Sequence, residues 1–224
     1  MRFVNFTVVV TGGTKGIGLD IVKRFRTEGA NVVFSGRDRV AGHAVEQGTG
    51  AIFYPADVRN EEDAGRTIFK ATELFGRVDI LVNNAGRASP YNGMQHTQAD
   101  EFTEPFQLHV VAAVNHIRYA LPIMRAQRSG SIINIASIAG HRGHGDGRVP
   151  YAVSKAALIA LSHSLAPELN KYGICINSLS PGHLDKGVGV VTDAVMFLAS
   201  SQSEFITGTD ITVDGGLTCG STYV

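Results

Sequence analysis

The stretch Thr7-Val-Val-Val-Thr-Gly-Gly-Thr-Lys-Gly-Ile-Gly18 joins an apolar β-branched run to a turn that contains four glycines. Residues with helical periodicity follow directly, which predicts strand, glycine turn and helix in that order. Glycines let the backbone approach a pyrophosphate closely, and a helix N-terminus supplies N–H donors to it. The stretch therefore predicts a parallel α/β fold with a nucleotide site after its first strand. The spacing of Gly12, Gly16 and Gly18 is GxxxGxG and not GxGxxG, and such a turn also occurs as a plain connection.

The same alternation of short apolar runs and longer helical patterns continues along the chain. The predicted strands are residues 7–10, 31–34, 51–54, 80–82, 131–135, 174–178 and 210–213. The predicted helices are residues 17–28, 61–75, 100–128, 151–171 and 191–199. Strands that alternate with helices form right-handed crossovers around a parallel sheet. We expect a Rossmann-like, doubly wound α/β fold of about seven strands, with helices on both faces and a single domain over residues 1–224.

Composition excludes several classes of function. Twenty Lys and Arg residues balance twenty Asp and Glu residues, so no basic field indicates a nucleic-acid partner. The two cysteines, Cys175 and Cys219, are too few for a disulfide framework or a zinc site, and we expect no metal. Asn5 and Thr7 interrupt the apolar N-terminus, and no apolar run reaches membrane-spanning length. We expect a cytoplasmic protein without a membrane partner.

Tyr151 and Lys155, in the stretch YAVSK, are the first candidates for chemistry. Side chains four positions apart lie on one helix face, so the phenol and the amine can share a site. By itself, a pair at this spacing is more often an aromatic ring that packs beneath a solvated cation.

Six motifs in order resemble those of the short-chain dehydrogenase/reductase family. They are TGGTKGIG at 11–18, NNAG at 83–86, Ser137 after IINIA, YAVSK at 151–155, SPG at 180–182 and ITGTDITVDGG at 206–216. The resemblance covers nearly the whole chain and implies hydride transfer between a nicotinamide cofactor and a carbonyl or secondary alcohol carbon. It also implies a carbonyl reductase or 3-oxoacyl reductase type of enzyme, and a homodimer or homotetramer.

Three residues receive catalytic roles from this resemblance. Tyr151 is the general acid/base, a role worth roughly 10²–10⁴-fold in rate. Lys155 binds the nicotinamide ribose and lowers the pKa of the phenol, since a cation at about 4 Å contributes about 4 kcal/mol at an effective dielectric of about 20. Ser137 donates a hydrogen bond to the substrate oxygen. The alternative for Ser137 is an ordinary polar turn residue.

The end of the second strand favours NADP. NAD-selective folds place a carboxylate there for the ribose 2′-hydroxyl, whereas this chain has Gly36 followed by Arg37. A guanidinium matches a 2′-phosphate, with Lys15 and the Ser35 hydroxyl as further contacts, although Asp38 leaves NAD open. The expected cofactor contacts are Gly12, Thr14, Lys15, Gly16, Ile17, Gly18, Ser35, Arg37, Asp57, Val58, Asn83, Ala85, Gly86, Tyr151, Lys155, Pro181 and Gly182.

Three departures from the family pattern concern the catalytic side. His109 stands where the family commonly has an asparagine that orders a water, and a histidine that titrates near neutrality can serve a proton relay. A packing histidine is the alternative. Lys186 replaces a threonine that contacts the nicotinamide. Only eight residues, 183–190, stand where relatives build a longer substrate lid, which predicts an open site, weak substrate affinity or a pocket completed by a partner subunit.

The remaining expectations concern substrate, assembly and alternatives. The loop 141–150, with His141, Arg142, His144 and Arg148, favours an anionic or polar substrate, or is simply mobile. The helices 100–128 and 151–171 carry extended apolar faces that suit a two-fold interface or are used against the sheet. The alternative functions are a non-catalytic dinucleotide-binding sensor or scaffold, and an epimerase or dehydratase that uses transient oxidation.

Overall fold

One parallel sheet of seven strands forms the centre of the molecule. A computed structural model describes residues 1–88, 93–141, 148–182 and 187–220. The strands are β1 (Thr7–Thr11), β2 (Asn31–Gly36), β3 (Ile52–Pro55), β4 (Ile80–Asn83), β5 (Gly130–Ile135), β6 (Ile174–Pro181) and β7 (Asp210–Val213), in the order β3-β2-β1-β4-β5-β6-β7. The predicted doubly wound fold and its number of strands are confirmed.

Helices cover both faces of this sheet. They are α1 (Gly16–Thr27), α2 (Arg39–Thr49), α3 (Glu61–Phe75), α4 (Thr103–Phe106), α5 (Ala112–Gln127), α6 (Val149–Leu169) and α7 (Gly189–Leu198). Apolar side chains of α1 and α7 pack on one face, where Val8 and Val10 of β1 point. Side chains of α3, α5 and α6 pack on the other face, where Val9 points. Strands buried on both sides explain why their sequences are almost continuously apolar.

The order of the strands reverses at β1, and this reversal positions the site. β1 pairs with β2 on one side and with β4 on the other. The loops that leave β1 and β4 therefore diverge to opposite faces, which opens a crevice beyond the carboxyl ends of the strands. The glycine turn and the NNAG motif lie at this crevice.

Helix α2 was not predicted from the sequence. Its residues include Gly42 and Gly48, which weaken a helical pattern. Gly42 is required by packing, because a Cβ there would lie 2.2 Å from Cζ of Phe53 on β3. The Asp38 side chain begins the helix by accepting a hydrogen bond from the backbone N–H of Ala41 at 2.9 Å.

The predicted helix 100–128 is wrong as a single element. The chain forms a 3₁₀ turn (Ala99–Phe102), α4, a π-helical turn (Gln107–Val111) and then α5. A π-helical turn inserts one extra residue into the helical repeat and often occurs at a functional site. Here it contains His109 and is packed against α6, so tertiary packing overrides the uniform helical pattern of the sequence.

Two observations concern the rest of the described chain. None of its helices combines the length and apolar character needed to cross a membrane. Within the same described ranges, no three or more His, Cys, Asp or Glu side chains converge as metal ligands.

Candidate active site

A cleft of about 720 Å³ lies beyond the carboxyl ends of the strands. The glycine turn, the ends of β2 and β3, the NNAG turn, the end of β5, helix α6 and the end of β6 surround it. Its lining residues are Gly12, Thr14, Lys15, Gly16, Ile17, Gly18, Gly36, Arg37, Ala56, Asp57, Val58, Asn84, Ala85, Gly86, Arg87, Ala88, Leu108, Ile135, Ala136, Ser137, Tyr151, Lys155, Pro181 and Gly182. The structure thus brings together most of the residues that the sequence selected.

The glycine turn is shaped by close contacts that a side chain would prevent. Gly12 and Gly16 adopt φ values of 69° and 57°, a region that L side chains rarely enter. A Cβ on Gly18 would lie 2.2 Å from the carbonyl oxygen of Gly12. Helix α1 begins here without a side-chain cap at Lys15 and without an acidic residue in its first turn. Its N-terminal N–H groups are therefore available to an anion in the cleft.

Asn84 connects the glycine turn to the turn after β4. Its Nδ2 atom donates to the carbonyl oxygens of Thr11 and Gly12 at 2.9 and 3.1 Å. The backbone N–H groups of Asn84 and Ala85 both donate to Oγ1 of Thr11 at 3.0 Å. These four bonds hold the glycine turn and the turn after β4 together at the base of the crevice. The sequence predicts Asn83 and the turn formed by residues 84–86 on the cofactor side, but its expected contacts include neither the Asn84 side chain nor Thr11.

Asn83 does not line the cleft. Its side chain is buried and Nδ2 donates to Oδ1 of Asn134 on β5 at 2.8 Å. The expected cofactor contact of Asn83 is therefore corrected to a contact between strands. The reason is the alternation of side chains along β4, which places Asn83 on the face covered by α5 and α6.

Ser137, Tyr151 and Lys155 meet at the end of β5. Ser137 begins a 3₁₀ turn (Ile138–Gly140) and its side chain accepts from the N–H of Ala139. A hydrogen bond also joins the Ser137 side chain to the Tyr151 phenol. Lys155 is 4% exposed, and its Nζ atom donates to the carbonyl oxygen of Ile135 at 2.7 Å and lies 5.8 Å from the centre of the Tyr151 ring.

The ionisation of these groups differs from the expectation. Burial raises the pKa of Tyr151, while the hydrogen bond from Ser137 and the charge of Arg148 oppose that rise. Burial also lowers the pKa of Lys155 to about 7. The expected lowering of the phenol pKa by Lys155 is not seen, because the amine is directed to Ile135 and is itself only partly charged near neutrality.

His109 lies behind the Tyr151 ring and is fully hydrogen-bonded. Its Nε2 atom accepts from the N–H of Arg87 at 3.3 Å, which leaves the ring proton on Nδ1, and Nδ1 donates to Oγ of Ser154 at 2.8 Å. Ser154 in turn donates to the carbonyl oxygen of Tyr151 at 2.7 Å. The His109 and Tyr151 rings meet edge to face with centres 5.6 Å apart.

The pKa of His109 is about 3 because of its burial, with a further contribution from the charge of Lys155. This differs from the expectation that His109 titrates near neutrality. Both ring nitrogens are also occupied by protein groups, so neither is left to order a water. The geometry is that of a residue that holds the Tyr151–Ser154 turn of α6.

The end of β2 lies at the far end of the cleft from Tyr151. Gly36 and Arg37 line the cleft together with Lys15, and a Cβ on Gly36 would lie 2.7 Å from Cγ2 of Thr14. An acidic side chain at position 36 would therefore displace Thr14. The Asp38 carboxylate caps α2 and is not among the lining residues.

Ser35 is a correction to the predicted contacts at this end. Its side chain is fully buried, and Oγ has no hydrogen-bond partner among the described residues. Position 35 lies inside β2, where it pairs with Thr11 of β1 and Tyr54 of β3. A hydroxyl within the sheet cannot reach a ligand in the cleft.

Asp57 and Val58 line the cleft where β3 ends. The Arg59 guanidinium holds the pKa of Asp57 below its usual range, and the charge of Arg37 acts in the same direction. Arg59 also approaches Glu104 of α4, which pairs with Arg87 at 3.2 Å. These ion pairs join the loops after β3 and β4 to α4 at the mouth of the cleft.

Some predicted features lie outside the described residues. These are Lys186 with the first half of the short segment 183–190, and Arg142 and His144 of the loop 141–150. His141 is described, and its Nε2 atom lies 2.7 Å from the buried carboxylate of Asp210 and 3.2 Å from Oγ of Ser180. Its ring thus anchors the start of that loop to β6 and β7.

Several lining residues were not selected from the sequence. Ala56, Arg87, Ala88, Leu108, Ile135 and Ala136 join Asn84 in this group. All of them except Leu108 lie at the carboxyl end of a strand or in the loop that follows it, so the rule that ligands bind at the carboxyl ends of parallel strands would have found them. Leu108 has no such signal, because it depends on the position of the π-helical turn.

Comparison with known proteins agrees with this fold and cleft. The sequence model of the short chain dehydrogenase family matches residues 6–193. The L-fucose dehydrogenase of Oryctolagus cuniculus is 35% identical over 251 residues, covering 98% of this chain and 87% of that protein. A 3-oxoacyl acyl-carrier-protein reductase of Chlamydia muridarum is 32% identical over 244 residues, covering 96% of this chain and 98% of that protein.

A solved structure, described as a putative short-chain dehydrogenase/reductase from Burkholderia xenovorans, superposes with a TM-score of 0.90. It shares 32% sequence identity and covers 97% of this chain and 98% of its own. The similarity therefore extends through the sheet, both helical layers and the sequence motifs that surround the cleft, so the resemblance inferred from the sequence is confirmed. The chain belongs to the short-chain dehydrogenase/reductase family of oxidoreductases.

Proposed function

We propose that the chain is an NADP(H)-dependent oxidoreductase that transfers a hydride between the nicotinamide and a carbonyl or secondary alcohol carbon. The observation that carries the proposal is the meeting of Ser137, Tyr151 and Lys155 in the same cleft as the glycine turn. A proton donor for a nascent alkoxide and a cradle for a dinucleotide then stand within one volume of about 720 Å³.

The residues of the cleft fit a dinucleotide phosphate. The close approach at Gly18 and Gly36 leaves room only for backbone, and α1 directs its N-terminal N–H groups to the same place. Arg37 and Lys15 supply positive charge at the end of β2, without a carboxylate at position 36. The bound cofactor would supply or accept the hydride, and the chain's residues would manage the accompanying proton.

The proton is assigned to Tyr151. In the direction of reduction, the phenol donates its proton to the substrate oxygen, while Ser137 holds that oxygen by a hydrogen bond. A raised phenol pKa suits the donor role before a ligand arrives. A negatively charged ligand near Lys155 favours the ammonium form of that buried amine, and the ammonium then stabilises the phenolate that remains after proton donation.

His109 is assigned a positioning role and not a relay role. It fixes Ser154 and, through it, the backbone carbonyl of Tyr151. Its edge also contacts the Tyr151 ring. A neutral ring beside Lys155 avoids placing two cations together in a buried site.

The names of the relatives suggest which substrates to assay first. L-fucose and a 3-oxoacyl group on acyl-carrier protein are the substrates in the names of the rabbit and the chlamydial protein. The short segment 183–190 favours a substrate site that is open or completed by another subunit. The rabbit alignment spans 251 positions, 27 more than the 224 residues of this chain, so this chain lacks residues that the rabbit protein has.

Homo-oligomerisation is part of the proposal. Helix α6 exposes Val153, Ala160 and Ser164. Residues seven and eleven positions apart lie on one helix face, so these three small or apolar side chains form a stripe along α6. A second copy of the chain, related by a two-fold axis, would cover this stripe.

The cofactor preference is tested by titrating the protein with NADPH and NADH, followed by cofactor fluorescence. Arg37→Ala should weaken NADPH binding about 10- to 100-fold, since a charge-assisted hydrogen bond contributes about 1.5–3 kcal/mol. NADH binding should change little. The matched control is Arg39→Ala, two residues along and outside the cleft. Equal weakening of both cofactors, or a wild-type preference for NADH, would contradict the NADP assignment.

The acid assignment is tested by Tyr151→Phe. Turnover of whichever substrate proves active should fall by roughly 10²–10⁴-fold, because the proton donor is lost. NADPH affinity should remain near that of the wild type. The control is Tyr172→Phe, whose ring stacks on Arg125 away from the cleft. Retention of most activity would show the assigned acid to be wrong, and a wild-type protein that binds cofactor without any turnover would favour the sensor or scaffold alternative.

The buried state of His109 is tested through the pH dependence of unfolding. Its pKa is about 3 in the folded chain against 6.5 for a free histidine, so the unfolded chain binds more protons between these values. Stability should therefore fall as pH falls through this window, by up to about 1.4 kcal/mol per pH unit. The free energy of unfolding is measured by urea titration at a series of pH values. For His109→Asn, its slope against pH should be smaller by one proton than that of the wild type. The exposed His163→Asn is the control, and an unchanged slope in His109→Asn would refute the buried neutral state.

The assembly is tested by sedimentation velocity of the wild type and of Ala160→Arg. A cation in the exposed stripe of α6 should dissociate the oligomer, because an unpaired charge would be buried in the interface. Ala44→Arg, at an exposed position of α2, is the matched control and should leave the assembly intact. A wild type that sediments as a single chain, or an Ala160→Arg variant that still assembles, would reject an interface at this stripe.

A further inference from the structure

A second, small cavity lies behind the wall of the cleft. It has a volume of about 10 Å³ and lies between the end of β4, the π-helical turn and the start of α5. Its lining residues are Thr11, Val58, Asn83, Ala85, Leu108, His109, Ala112, Ala113 and His116. Val58, Ala85 and Leu108 also line the cleft, so these three residues form the partition between the two spaces.

Asn83 is one of the residues that line this cavity, and a chain of hydrogen bonds determines the orientation of its amide. Ser162 donates its hydroxyl to the carbonyl oxygen of Leu158 at 3.3 Å and therefore accepts from Nδ2 of Asn134 at 2.9 Å. Oδ1 of Asn134 then faces Asn83 and must accept from its Nδ2 atom at 2.8 Å. Oδ1 of Asn83 is left buried without a hydrogen-bond partner among the described residues.

His116 presents a second acceptor. Its Nδ1 atom lies 2.8 Å from the carbonyl oxygen of Ala112, so Nδ1 carries the proton. Burial lowers the pKa of His116 and favours the neutral ring. Nε2 is then a lone pair, and it is also buried without a partner among the described residues. The ring is 1% exposed and Asn83 is 6% exposed, so bulk water does not satisfy either group.

Two residues that line the same cavity thus each contain an acceptor without a partner among the described residues, and these two acceptors cannot bond to each other because neither atom carries a proton. A water molecule has two protons to donate. The cavity has the volume that one water requires, roughly 10–15 Å³. Leaving both acceptors unsatisfied would cost about 1–3 kcal/mol for each group.

We propose that this cavity is a binding site for one permanently held water molecule, which donates one hydrogen bond to Oδ1 of Asn83 and the other to Nε2 of His116. The water links the end of β4 to α5. It thereby supports, from behind, the partition formed by Val58, Ala85 and Leu108. The site is separate from the chemistry assigned to Tyr151 and does not depend on it.

The first test is a direct search for the water in the whole protein. Crystals of the wild type that diffract to high resolution should show a single density peak in the cavity, within hydrogen-bond distance of Oδ1 of Asn83 and Nε2 of His116. An ordered Asn83 and His116 with an empty cavity, or in direct contact with each other, would overturn the proposal.

The second test uses alanine methyl groups as reporters in solution. Ala112 and Ala113 line the cavity, whereas Ala120 on the same helix is packed in the apolar core. With ¹³C-methyl alanine, a water held for longer than the tumbling time should give nuclear Overhauser effects to Ala112 and Ala113, of the sign typical of slow motion. Ala120 is the internal control and should give none. The absence of effects at Ala112 and Ala113 would count against the site.

A variant shows whether the nuclear Overhauser effects come from the water or from another exchangeable proton, such as that of the Thr11 hydroxyl. His116→Leu removes one acceptor and replaces the ring by an apolar group, so the effects at Ala112 and Ala113 should be lost. Ser178→Ala removes another buried hydroxyl without a described partner, one that does not line the cavity, and should retain them. Effects that persist in His116→Leu would come from another proton and would overturn the two-acceptor site. The crystal test stands even if this variant does not fold.

Discussion

The hydrogen bond from the buried Lys155 amine to the Ile135 carbonyl is the contact on which the site depends. The side chain is 4% exposed, and burial of an amine disfavours its charged form. One carbonyl at the end of β5 offsets part of that penalty. The same bond ties α6 to the end of β5, and Gly140 lets the 3₁₀ turn after β5 pack closely on α6, since a Cβ there would lie 2.8 Å from the N atom of Ala156. Ser137 at the end of β5 and Tyr151 on α6 are thereby brought together.

Local patterns in the sequence predict the sheet, most helices and the motifs around the cleft. A strand that is buried on both faces and a glycine turn each appear within a few residues, so no tertiary information is needed to find them. Where packing decides the outcome, the sequence is less informative. Helix α2 escaped prediction because Gly42, which α2 needs to pack on Phe53, breaks the helical pattern. The π-helical turn at His109 was not predicted for a similar reason, since it depends on the contact with α6.

The side chains that the sequence wrongly predicts as cofactor contacts show a second limit of prediction from sequence. Asn83 and Asn84 are neighbours of the same type, yet one points into the layer beneath α6 and the other binds the glycine turn. Ser35 lies inside the sheet, one residue before the cleft lining begins at Gly36. A shift of one residue exchanges the two faces of a strand, and the sequence does not state where a strand ends. The sequence also does not predict the lowered pKa of His109, because depth of burial is a property of the packed molecule.

The charges of the site argue for a negatively charged ligand. Burial depresses the pKa values of both Lys155 and His109, and their mutual proximity lowers the pKa of His109 further. Arg37 and Lys15 add positive charge along the same cleft. Among the described residues, no carboxylate forms an ion pair with Lys155, so its positive charge has no local compensation there. An anion that enters the cleft would supply that compensation and would restore the charge of the amine. In the proposed function, binding of the dinucleotide and activation of the Tyr151 phenol would then be coupled through the charge of Lys155.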